Sequence, residues 1–345
     1  MNRKLKIAVT GGCGYIGSHT LVDLIQNGYE VFSVDSLVNS SEDALLGVER
    51  ITGKKIRNYR YDLADPEIYH KLSSEEGEVT AIIHFAALKA VGESVDQPLR
   101  YYHNNVNSML NVLRWMGNSG IPYLVFSSSC TVYGDHCELP VKETQAFGIS
   151  SSPYGKSKQI CEWIMMDVLK VIQRQGISLR YFNPAGAHES GYLGEAPRQP
   201  ALNLVPVITE TAMGKRNQMM VYGNDYSTRD GSCIRDYVHI MDLAQAQTQA
   251  LEYMLENKLT LDFEAFNLGI GKGLSVLEMI SAFEHVSGQK LNYQIGPRRA
   301  GDMAEIYADP TKAISLLKWK PKRGVEEIMS TAWEWELKRS GFHPA

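Results

Sequence analysis

Short apolar runs, rich in β-branched residues, alternate with helical patterns from the start of the chain to about position 183. Most of these runs are apolar at consecutive positions, which is typical of strands that are covered on both faces. Strands of this kind that alternate with helices indicate an α/β fold with a parallel sheet. The pattern predicts strands at residues 6–10, 30–35, 56–62, 80–85, 123–128 and 178–182.

Two helical stretches between these strands are the clearest. Apolar residues recur at positions i, i+3, i+4 and i+7 over residues 106–116, and the stripe ends close to Gly117 and Gly120. A second helix is predicted over residues 153–175. We therefore expect a doubly wound parallel sheet with helices on its faces.

The residue composition of the chain changes after residue 183. Glycine and proline crowd residues 186–200, which favours irregular structure over a long helix or strand. We interpret this segment as the crossing into a second, smaller α/β domain, so that the predicted domains are residues 1–183 and 184–345. In the second domain the pattern predicts helices at 241–256, 275–287 and 325–338 and strands at 219–222 and 266–268.

Composition places the chain among globular proteins. Of 345 residues, 44% are hydrophobic and 21% are charged, which excludes a largely disordered chain. The formal net charge is −4 and no long basic run occurs, so no nucleic-acid partner is expected. No stretch of about 18 apolar residues is present, so we predict no transmembrane helix. The first residues also lack the apolar stretch that a secretory signal peptide needs.

The five cysteines are scattered along the chain and form no CxxC pair. An odd number of isolated cysteines favours reduced thiols over a disulfide framework. The histidines likewise show no spacing typical of metal ligands. The sequence therefore predicts a cytoplasmic protein without a metal site.

A glycine-rich turn stands between the first strand and the first helix. Gly11, Gly14 and Gly17 are spaced as G-x-x-G-x-x-G, which lets the backbone turn tightly and approach a pyrophosphate at the helix N-terminus. The next strand ends in Asp35, 18 residues beyond Gly17, where a carboxylate can bind ribose hydroxyls and repel a 2′-phosphate. These features indicate a dinucleotide site that takes NAD rather than NADP.

A second motif provides acid–base chemistry. Tyr154 and Lys158 are four residues apart, so on a helix they share one face and the ammonium lies near the phenol. A nearby cation lowers the pKa of a tyrosine from about 10 toward neutrality, as a general base requires. Ser129, at the carboxyl end of its strand, can complete a proton relay. We predict Ser129, Tyr154 and Lys158 as the catalytic residues.

The glycine turn, the serine at a strand end and the Y-x-x-x-K motif together resemble the extended short-chain dehydrogenase/reductases. Within that superfamily, almost the whole chain is similar to the UDP-glucose 4-epimerases. The matching stretches lie in both predicted domains, and the later ones belong to the substrate side rather than to the shared cofactor fold. They are residues 11–20, 85–94, 101–107, 126–129, 152–158, 180–184, 222–226, 235–239 and 298–302.

The resemblance implies a Rossmann-type NAD domain over 1–183 and a UDP-sugar-binding domain over 184–345. It implies that Asp35 and Asn39 hold the adenosine ribose and that Asp62 and Leu63 flank the adenine. The cofactor residues that it implies are Gly11, Gly14, Tyr15, Ile16, Gly17, Asp35, Asn39, Asp62, Leu63, Phe85, Ala86, Lys89, Asn104, Ser127, Tyr154, Lys158 and Tyr181.

On the substrate side, the resemblance implies a uridine diphosphate site with Tyr222 near the uracil. Two arginines distant in sequence suit a diphosphate, because their planar, permanently charged forks can converge on it. The resemblance also places Ile306 beside the sugar 2-substituent, which leaves open whether the N-acetylated sugar pair is accepted. The implied substrate residues are Ser129, Asn183, Asn203, Leu204, Tyr222, Arg235, Arg299, Asp302 and Ile306.

The activity that the resemblance implies is inversion at C4 of a UDP-hexose through a 4-keto intermediate. Tyr154 would remove the 4-hydroxyl proton, and NAD would be regenerated in each cycle and therefore stay bound. Relatives pair through two helices per subunit, and the candidates here are residues 104–116 and the helix after Pro153. We therefore expect a homodimer.

The residues at the predicted site disfavour two other functions. A nucleotide-sugar 4,6-dehydratase or decarboxylase needs further acid–base residues, and dehydratase relatives place an Asp-Glu pair directly after the strand-end serine or threonine. Cys130 and Thr131 stand there in this chain, which disfavours elimination chemistry. A non-catalytic NAD-sensing or scaffold protein would be favoured if Ser129, Tyr154 or Lys158 were replaced, but all three are present.

Overall fold

The computed structural model describes residues 5–299 and 301–341. Ala300, in the matched stretch 298–302, lies outside the described residues. The strands in chain order are β1 (Lys6–Thr10), β2 (Glu30–Val34), β3 (Asn58–Tyr59), β4 (Ala81–His84), β5 (Tyr123–Ser129), β6 (Gln175–Tyr181), β7 (Asn183–Ala185), β8 (Met219–Tyr222), β9 (Ile234–Arg235), β10 (Tyr237–His239), β11 (Phe263–Leu268), β12 (Leu274–Ser275), β13 (Tyr293–Gly296) and β14 (Glu305–Ile306).

Helices connect most of these strands. They are α1 (Tyr15–Gln26), α2 (Asp43–Thr52), α3 (Ile68–Glu76), α4 (Val91–Asp96), α5 (Pro98–Ser119), α6 (Pro153–Ile172), α7 (Leu204–Ala212), α8 (Ile240–Leu255), α9 (Val276–Ser287) and α10 (Val325–Arg339). A 3₁₀ turn, Cys130–Tyr133, directly follows β5.

The main sheet has seven strands in the order β11-β6-β5-β4-β1-β2-β3, and all neighbouring strands are parallel. The strand order reverses between β1 and β4, where ligands bind in open α/β sheets. Consecutive apolar residues form the central strands, and Ile7, Ala8 and Val9 of β1 are fully buried. The predicted α/β fold with a Rossmann-type doubly wound sheet is confirmed.

Two apolar layers cover the two faces of this sheet. One layer includes α1 and α8, which pack against each other over strand residues such as Ile7 and Val9. The other layer includes α5 and α6, whose Trp115 and Met165 are buried against the opposite face. Both faces of the sheet are therefore covered by apolar side chains, as the apolar runs in the sequence predicted.

A smaller group of elements holds its own core. Helices α7, α9 and α10 pack together around residues such as Ile208 and Phe283. Strands β8 and β13 form a parallel pair, and β9 lies between β12 and β14. The smaller α/β unit that the sequence predicted after residue 183 therefore has a separate apolar core.

The structure corrects several of the predicted elements. The strand predicted over 56–62 is short, because only Asn58–Tyr59 pairs with β2. The helix predicted over 153–175 ends at Ile172, because Gln173 has a left-handed backbone with a φ of 54°. The strand predicted at 266–268 runs over Phe263–Leu268, and it pairs with β6 in the main sheet although it comes after residue 183.

The division into residues 1–183 and 184–345 stays a prediction. The topology of the sheet suggests a different first unit. Strand β7 pairs with β10, and the chain then returns through α8 and β11 to complete the main sheet. We therefore propose a first unit that takes α8 and β11 in addition to residues 1–183.

Candidate active site

The glycine turn after β1 has no room for a side chain at Gly11 or at Gly17. Gly11 has a φ of +71°, and a Cβ built on it would lie 2.8 Å from the backbone nitrogen of Ala86. A Cβ on Gly17 would lie 2.2 Å from the carbonyl oxygen of Gly11. Gly11 is therefore required by conformation as well as by space, and Gly17 by the close packing of α1 against the turn.

The N-terminus of α1 is suited to an anion. Gly14 is the N-cap and contributes no side-chain cap, and the first turn carries no acidic residue. The backbone N–H groups of the first turn, including Tyr15 and Ile16, have no partner within the helix. The Tyr15 hydroxyl points elsewhere and donates to the carbonyl oxygen of Gly186 at 2.6 Å. The turn can thus offer main-chain donors and a positive helix dipole to a pyrophosphate.

Asp35 follows β2 and is bound to the glycine turn. Its carboxylate accepts hydrogen bonds from the backbone nitrogens of Cys13 and Leu37, at 3.1 and 2.9 Å, and from the Ser40 hydroxyl at 2.7 Å. A carboxylate offers about four acceptor positions, so about one remains for a ligand. If Asp35 is to accept from two ribose hydroxyls, the Ser40 hydroxyl must therefore give up its hydrogen bond to this carboxylate.

The other predicted cofactor residues follow the carboxyl ends of neighbouring strands. Asp62 is exposed beyond β3, and Leu63 beside it is buried. Phe85 and Ala86 directly follow β4, and Asn39 is exposed on the loop after β2. A glycine cradle that a Cβ would fill, an open helix N-terminus and an acid after β2 fit an NAD-type dinucleotide at this edge of the sheet.

Helix α6 carries the predicted catalytic pair. Pro153 occupies its first turn and the Ser152 hydroxyl caps it by accepting from the nitrogen of Gly155 at 3.1 Å. Lys158 follows Tyr154 by one turn, is 3% exposed, and donates from Nζ to the carbonyl oxygen of Ser127 at 2.6 Å. The lysine is therefore fixed against the end of β5, beside the phenol.

In the chain alone, the pKa of Tyr154 shifts opposite to the expected direction. Burial raises the pKa of Tyr154 to about 12, and an interaction with the Ser129 hydroxyl opposes this rise without cancelling it. Burial also lowers the pKa of Lys158 to about 8, and its Nζ lies 5.9 Å from the centre of the tyrosine ring. Burial is a property of the packed fold that the spacing of Tyr154 and Lys158 does not report, and its effect on the pKa dominates here.

Three further predicted residues lie on β5, β6 and α5. Ser127 lies two residues before Ser129 on β5, and its side chain interacts with the hydroxyl of Tyr181 at the end of β6. The Tyr181 hydroxyl also accepts from Nε2 of Gln247 at 2.6 Å. Asn104 on α5 is half-buried and donates to the neighbouring Asn105 at 3.0 Å.

Glu195 joins the two predicted binding sides, and the sequence reasoning missed it. Its Oε1 accepts from Nζ of Lys89 at 3.2 Å and from Nδ2 of Asn203 at 2.8 Å. Lys89 belongs to the predicted cofactor set and Asn203 to the predicted substrate set. A single glutamate in a glycine-rich loop carries no sequence signal for such a bridge.

Two predicted substrate arginines meet at one carboxylate. Arg299 binds Asp302 through Nε at 3.1 Å and Nη2 at 2.8 Å, and Nη2 of Arg235 lies 3.6 Å from the same residue. The Arg299 guanidinium also lies 5.4 Å from the ring centre of Tyr222, which is 44% exposed. The structure thus brings together charges from β9 and from the loop before β14, as a diphosphate site needs.

Ile306 lies on β14, opposite Arg235 in the register, and is 4% exposed. It packs in one apolar cluster with Val132 of the 3₁₀ turn that follows Ser129. Asn183 starts β7 directly after Phe182, and Leu204 starts α7. One apolar cluster therefore connects Ile306 to the turn that follows Ser129, the predicted catalytic residue at the end of β5.

The described residues, 5–299 and 301–341, contain no helix that is long and apolar enough to span a membrane. In the same ranges, no group of three histidine, cysteine or acidic residues is arranged to hold a metal ion. All five cysteines are free thiols.

Comparison with known proteins gives a consistent result. The family described as GDP-mannose 4,6 dehydratase matches residues 8–332. The UDP-glucose 4-epimerase of Bacillus subtilis is 46% identical over 333 residues, which cover 96% of this chain and 97% of that protein.

Solved structures agree. UDP-glucose 4-epimerase from Bifidobacterium longum, in complex with NAD⁺ and UDP, is 42% identical and matches with a TM-score of 0.92, covering 97% of this chain and 99% of that one. The enzyme from Stenotrophomonas maltophila, with bound NAD and formylated UDP-arabinopyranose, is 39% identical with a TM-score of 0.93, covering 98% and 99%. The fold, the glycine cradle and the near full-length identity lead to one conclusion: the chain belongs to the UDP-glucose 4-epimerase family of extended short-chain dehydrogenase/reductases.

Proposed function

We propose that the protein is an NAD-dependent UDP-glucose 4-epimerase that interconverts UDP-galactose and UDP-glucose through a 4-keto intermediate. The observation that carries this proposal is the placement of Tyr154, Lys158 and Ser129 at the sheet edge that also holds the glycine cradle. Near full-length identity of 46% to a curated epimerase supports the same reaction.

The cofactor would be held by the elements that follow β1, β2 and β4. The glycine turn and the N-terminus of α1 would bind the pyrophosphate, and Asp35 would bind the adenosine ribose. When bound, NAD would supply the hydride chemistry, as the acceptor for the hydride of C4 and the donor for its return. The protein's own part is to bind, to orient and to move a proton.

Tyr154 would exchange the proton of the 4-hydroxyl, and Ser129 would orient that oxygen. Because burial raises the pKa of Tyr154 to about 12 in the chain alone, the phenolate needs a further positive charge in the closed site. Lys158 provides one such charge from within the fold, and the bound cofactor is proposed to add another. The base would thus be formed only when the site is loaded.

The diphosphate would be bound by the two arginines that now share Asp302. Arg235 is largely buried, and two of its contacts are the carbonyl oxygens of Ile234 and Met303, at 2.9 and 2.8 Å. Arg299 is more exposed and can turn toward a ligand. A diphosphate would thus be bound by one fixed guanidinium, that of Arg235, and by one mobile guanidinium, that of Arg299.

A dehydratase remains disfavoured, although the matching family carries that description. Elimination needs an acid next to Ser129, where this chain has Cys130 and Thr131. Burial raises the pKa of the Cys130 thiol to about 12, so the thiol is not ionised near neutral pH. The residues at this position therefore support epimerisation without loss of water.

The function is tested by incubating the purified protein with UDP-galactose and added NAD, followed by separation of the nucleotide sugars. We expect UDP-glucose to form until equilibrium is reached. Formation of a 4-keto-6-deoxy sugar would support the dehydratase instead, and no conversion at all would contradict the proposal.

Lys158→Met is expected to raise the apparent pKa of the rising limb of the rate profile and to weaken NAD retention, because the phenolate loses its nearest cation. The unmodified enzyme should also lose rate as pH rises through about 8, where Lys158 gives up its proton. That falling limb should be absent from the variant. Rate profiles and the NAD content after gel filtration measure both effects, with the exposed Lys156→Met as the matched control. A profile unchanged from the unmodified enzyme would disprove the role of the cation.

Ile306 is expected to set the substrate range. Isoleucine is stiff at χ1 and intermediate in size, so we expect UDP-N-acetylhexosamines to turn over roughly ten- to a hundredfold more slowly than UDP-glucose and UDP-galactose. Ile306→Tyr should abolish the N-acetyl activity and spare the other, while Ile306→Ser should raise it. The ratio of kcat/KM for the two sugar pairs measures this. Equal rates in the unmodified protein, or a constant ratio in both variants, would refute the assignment.

A homodimer is proposed through α5 and α6, which pack side by side. Both helices expose large apolar side chains: Leu99 is 83%, Trp163 50% and Met166 37% exposed. Pairing two copies would cover these side chains in a four-helix contact. Sedimentation at micromolar concentration should give twice the 38.6 kDa of one chain, and Trp163→Glu should shift it to one. A monomer before substitution would contradict this interface.

We further propose a cytoplasmic location, which the five free thiols support.

A further inference from the structure

An ion pair is buried directly behind the proposed catalytic residues. Glu162 of α6 is fully buried, and its carboxylate binds Nε and Nη2 of Arg180 on β6, at 3.1 and 2.7 Å. The same carboxylate accepts from the hydroxyl of Ser128 on β5 at 2.5 Å. Three hydrogen bonds thus join α6 to two central strands of the sheet.

The pair continues into the turn that follows the catalytic strand. Nη1 of Arg180 donates to the hydroxyl of Tyr133 at 2.8 Å, and that hydroxyl donates to Oδ1 of Asn267 on β11 at 2.6 Å. Asn267 in turn receives support from Glu143, which accepts from its backbone nitrogen at 2.7 Å. Arg180 is only 5% exposed, so this network is closed to water.

Three members of the network lie close in sequence to a proposed catalytic residue. Ser128 precedes Ser129 on β5, and Tyr133 ends the 3₁₀ turn for which Ser129 is the N-cap. Glu162 lies one turn beyond Lys158, on the same face of α6. The network therefore contacts every element that carries part of the acid–base site.

A buried ion pair is weak evidence for stability, because apolar side chains of similar size often replace one without loss. The gain that such a pair offers is a unique geometry, since its bonds are directional and cannot be satisfied in another register. We propose that Glu162 and Arg180 are a positioning pair that fixes α6 against β5 and the 3₁₀ turn, so that Tyr154 and Lys158 meet Ser129. This inference rests on the proposed function, because positioning matters only if those residues carry out the chemistry.

The test is the double variant Glu162→Leu/Arg180→Met, which replaces the pair by apolar side chains of similar size. We expect it to fold and to retain NAD, with KM for UDP-galactose unchanged and kcat reduced about a hundredfold, as a misplacement of about 1 Å allows. A merely structural pair would alter thermal stability and leave the kcat of the folded holoenzyme within twofold. That second result would overturn the inference.

A matched control separates positioning from general loss of a buried pair. Asp242 of α8 is also fully buried and binds Nη1 of Arg323 at 2.6 Å, away from the proposed catalytic residues. Asp242→Leu/Arg323→Met should therefore change the melting temperature while kcat stays within twofold of the unmodified enzyme. A loss of kcat equal to that of the first double variant would count against a specific role for Glu162 and Arg180.

A milder substitution covers the case in which the double variant does not fold. Ser128→Ala removes only the hydroxyl that joins the pair to β5, and we expect a folded protein with kcat reduced about tenfold and KM unchanged. Unchanged kcat would overturn the inference. If the unmodified protein itself does not convert UDP-galactose, the proposed function fails, and crystal structures then decide the inference. The separation between the Tyr154 and Ser129 hydroxyls should grow by about 1 Å in Ser128→Ala, and an unchanged separation would refute it.

Discussion

Tyr154→Phe is expected to lower kcat for UDP-galactose by about 10²–10⁴-fold while the fold and the bound NAD are retained. Only a hydroxyl is lost, and the ring keeps its packing on α6 beside Lys158. The loss falls on kcat rather than on KM, because proton exchange with the 4-hydroxyl belongs to the chemical step. Steady-state kinetics with UDP-galactose, together with the NAD content of the purified variant, measure the effect.

A matched control is Tyr253→Phe, which removes a tyrosine hydroxyl from α8. Its pKa is also raised by burial, so the two substitutions remove similar groups from different places. We expect the control to keep kcat within twofold of the unmodified enzyme. Near-normal turnover by Tyr154→Phe would exclude this tyrosine as the acid–base residue.

Gly17→Ala is expected to have the second largest effect, on NAD retention and on stability together. The new Cβ would lie 2.2 Å from the carbonyl oxygen of Gly11, and backbone cannot rotate away as a side chain can. Helix α1 must therefore move off the glycine turn, which displaces the N–H groups proposed to bind the pyrophosphate. Overpacking of this kind costs about 1–3 kcal/mol. We expect a lower free energy of unfolding and loss of NAD during gel filtration.

Gly117→Ala on α5 is the matched control, because its added Cβ meets only Ile172 at an ordinary 3.7 Å. Glycine inside a helix is less favourable than alanine by about 0.5–1 kcal/mol, so the control should be slightly stabilised. Its NAD content should equal that of the unmodified protein. Full retention of NAD by Gly17→Ala would contradict the proposed role of the turn.

Much of the main sheet was predictable because its strands are buried on both faces. Continuous apolar runs predicted β1 with its observed bounds, and β2, β4 and β5 to within one residue at each end. Strand β3 was overextended, because the apolar pattern does not report that only Asn58–Tyr59 finds a partner on β2. The local sequence pattern therefore predicts which segments form strands. Hydrogen bonding to a neighbouring strand determines how long each strand is.

The place of β11 could not be predicted from its sequence. The segment 266–268 has the pattern of a strand, but that pattern does not say which sheet the strand joins. Its pairing with β6 closes a loop of about eighty residues, and such long-range contacts leave no local signal. For the same reason, the predicted boundary at residue 183 leaves α8 and β11 out of the first unit that we propose.

The candidate site was also predictable only in part. Spacing placed Tyr154 and Lys158 on one face of a helix, because the α-helical period fixes that relation. In the chain alone, burial shifts the pKa of Tyr154 opposite to the prediction, since burial depends on the packed fold and not on neighbours in sequence. Glu162 was missed because a glutamate on a helix usually faces water. The one available signal was its position four residues after Lys158, on the same face.

The central claim is that the protein inverts C4 of a UDP-hexose with a cofactor that it retains and regenerates. The most direct test is to purify the protein, incubate it with UDP-galactose without added NAD, and quantify the UDP-glucose that forms. We predict many turnovers per protein molecule and no net accumulation of NADH. Conversion that stops after one turnover, or that begins only when NAD is supplied and scales with its concentration, would contradict a retained and regenerated cofactor.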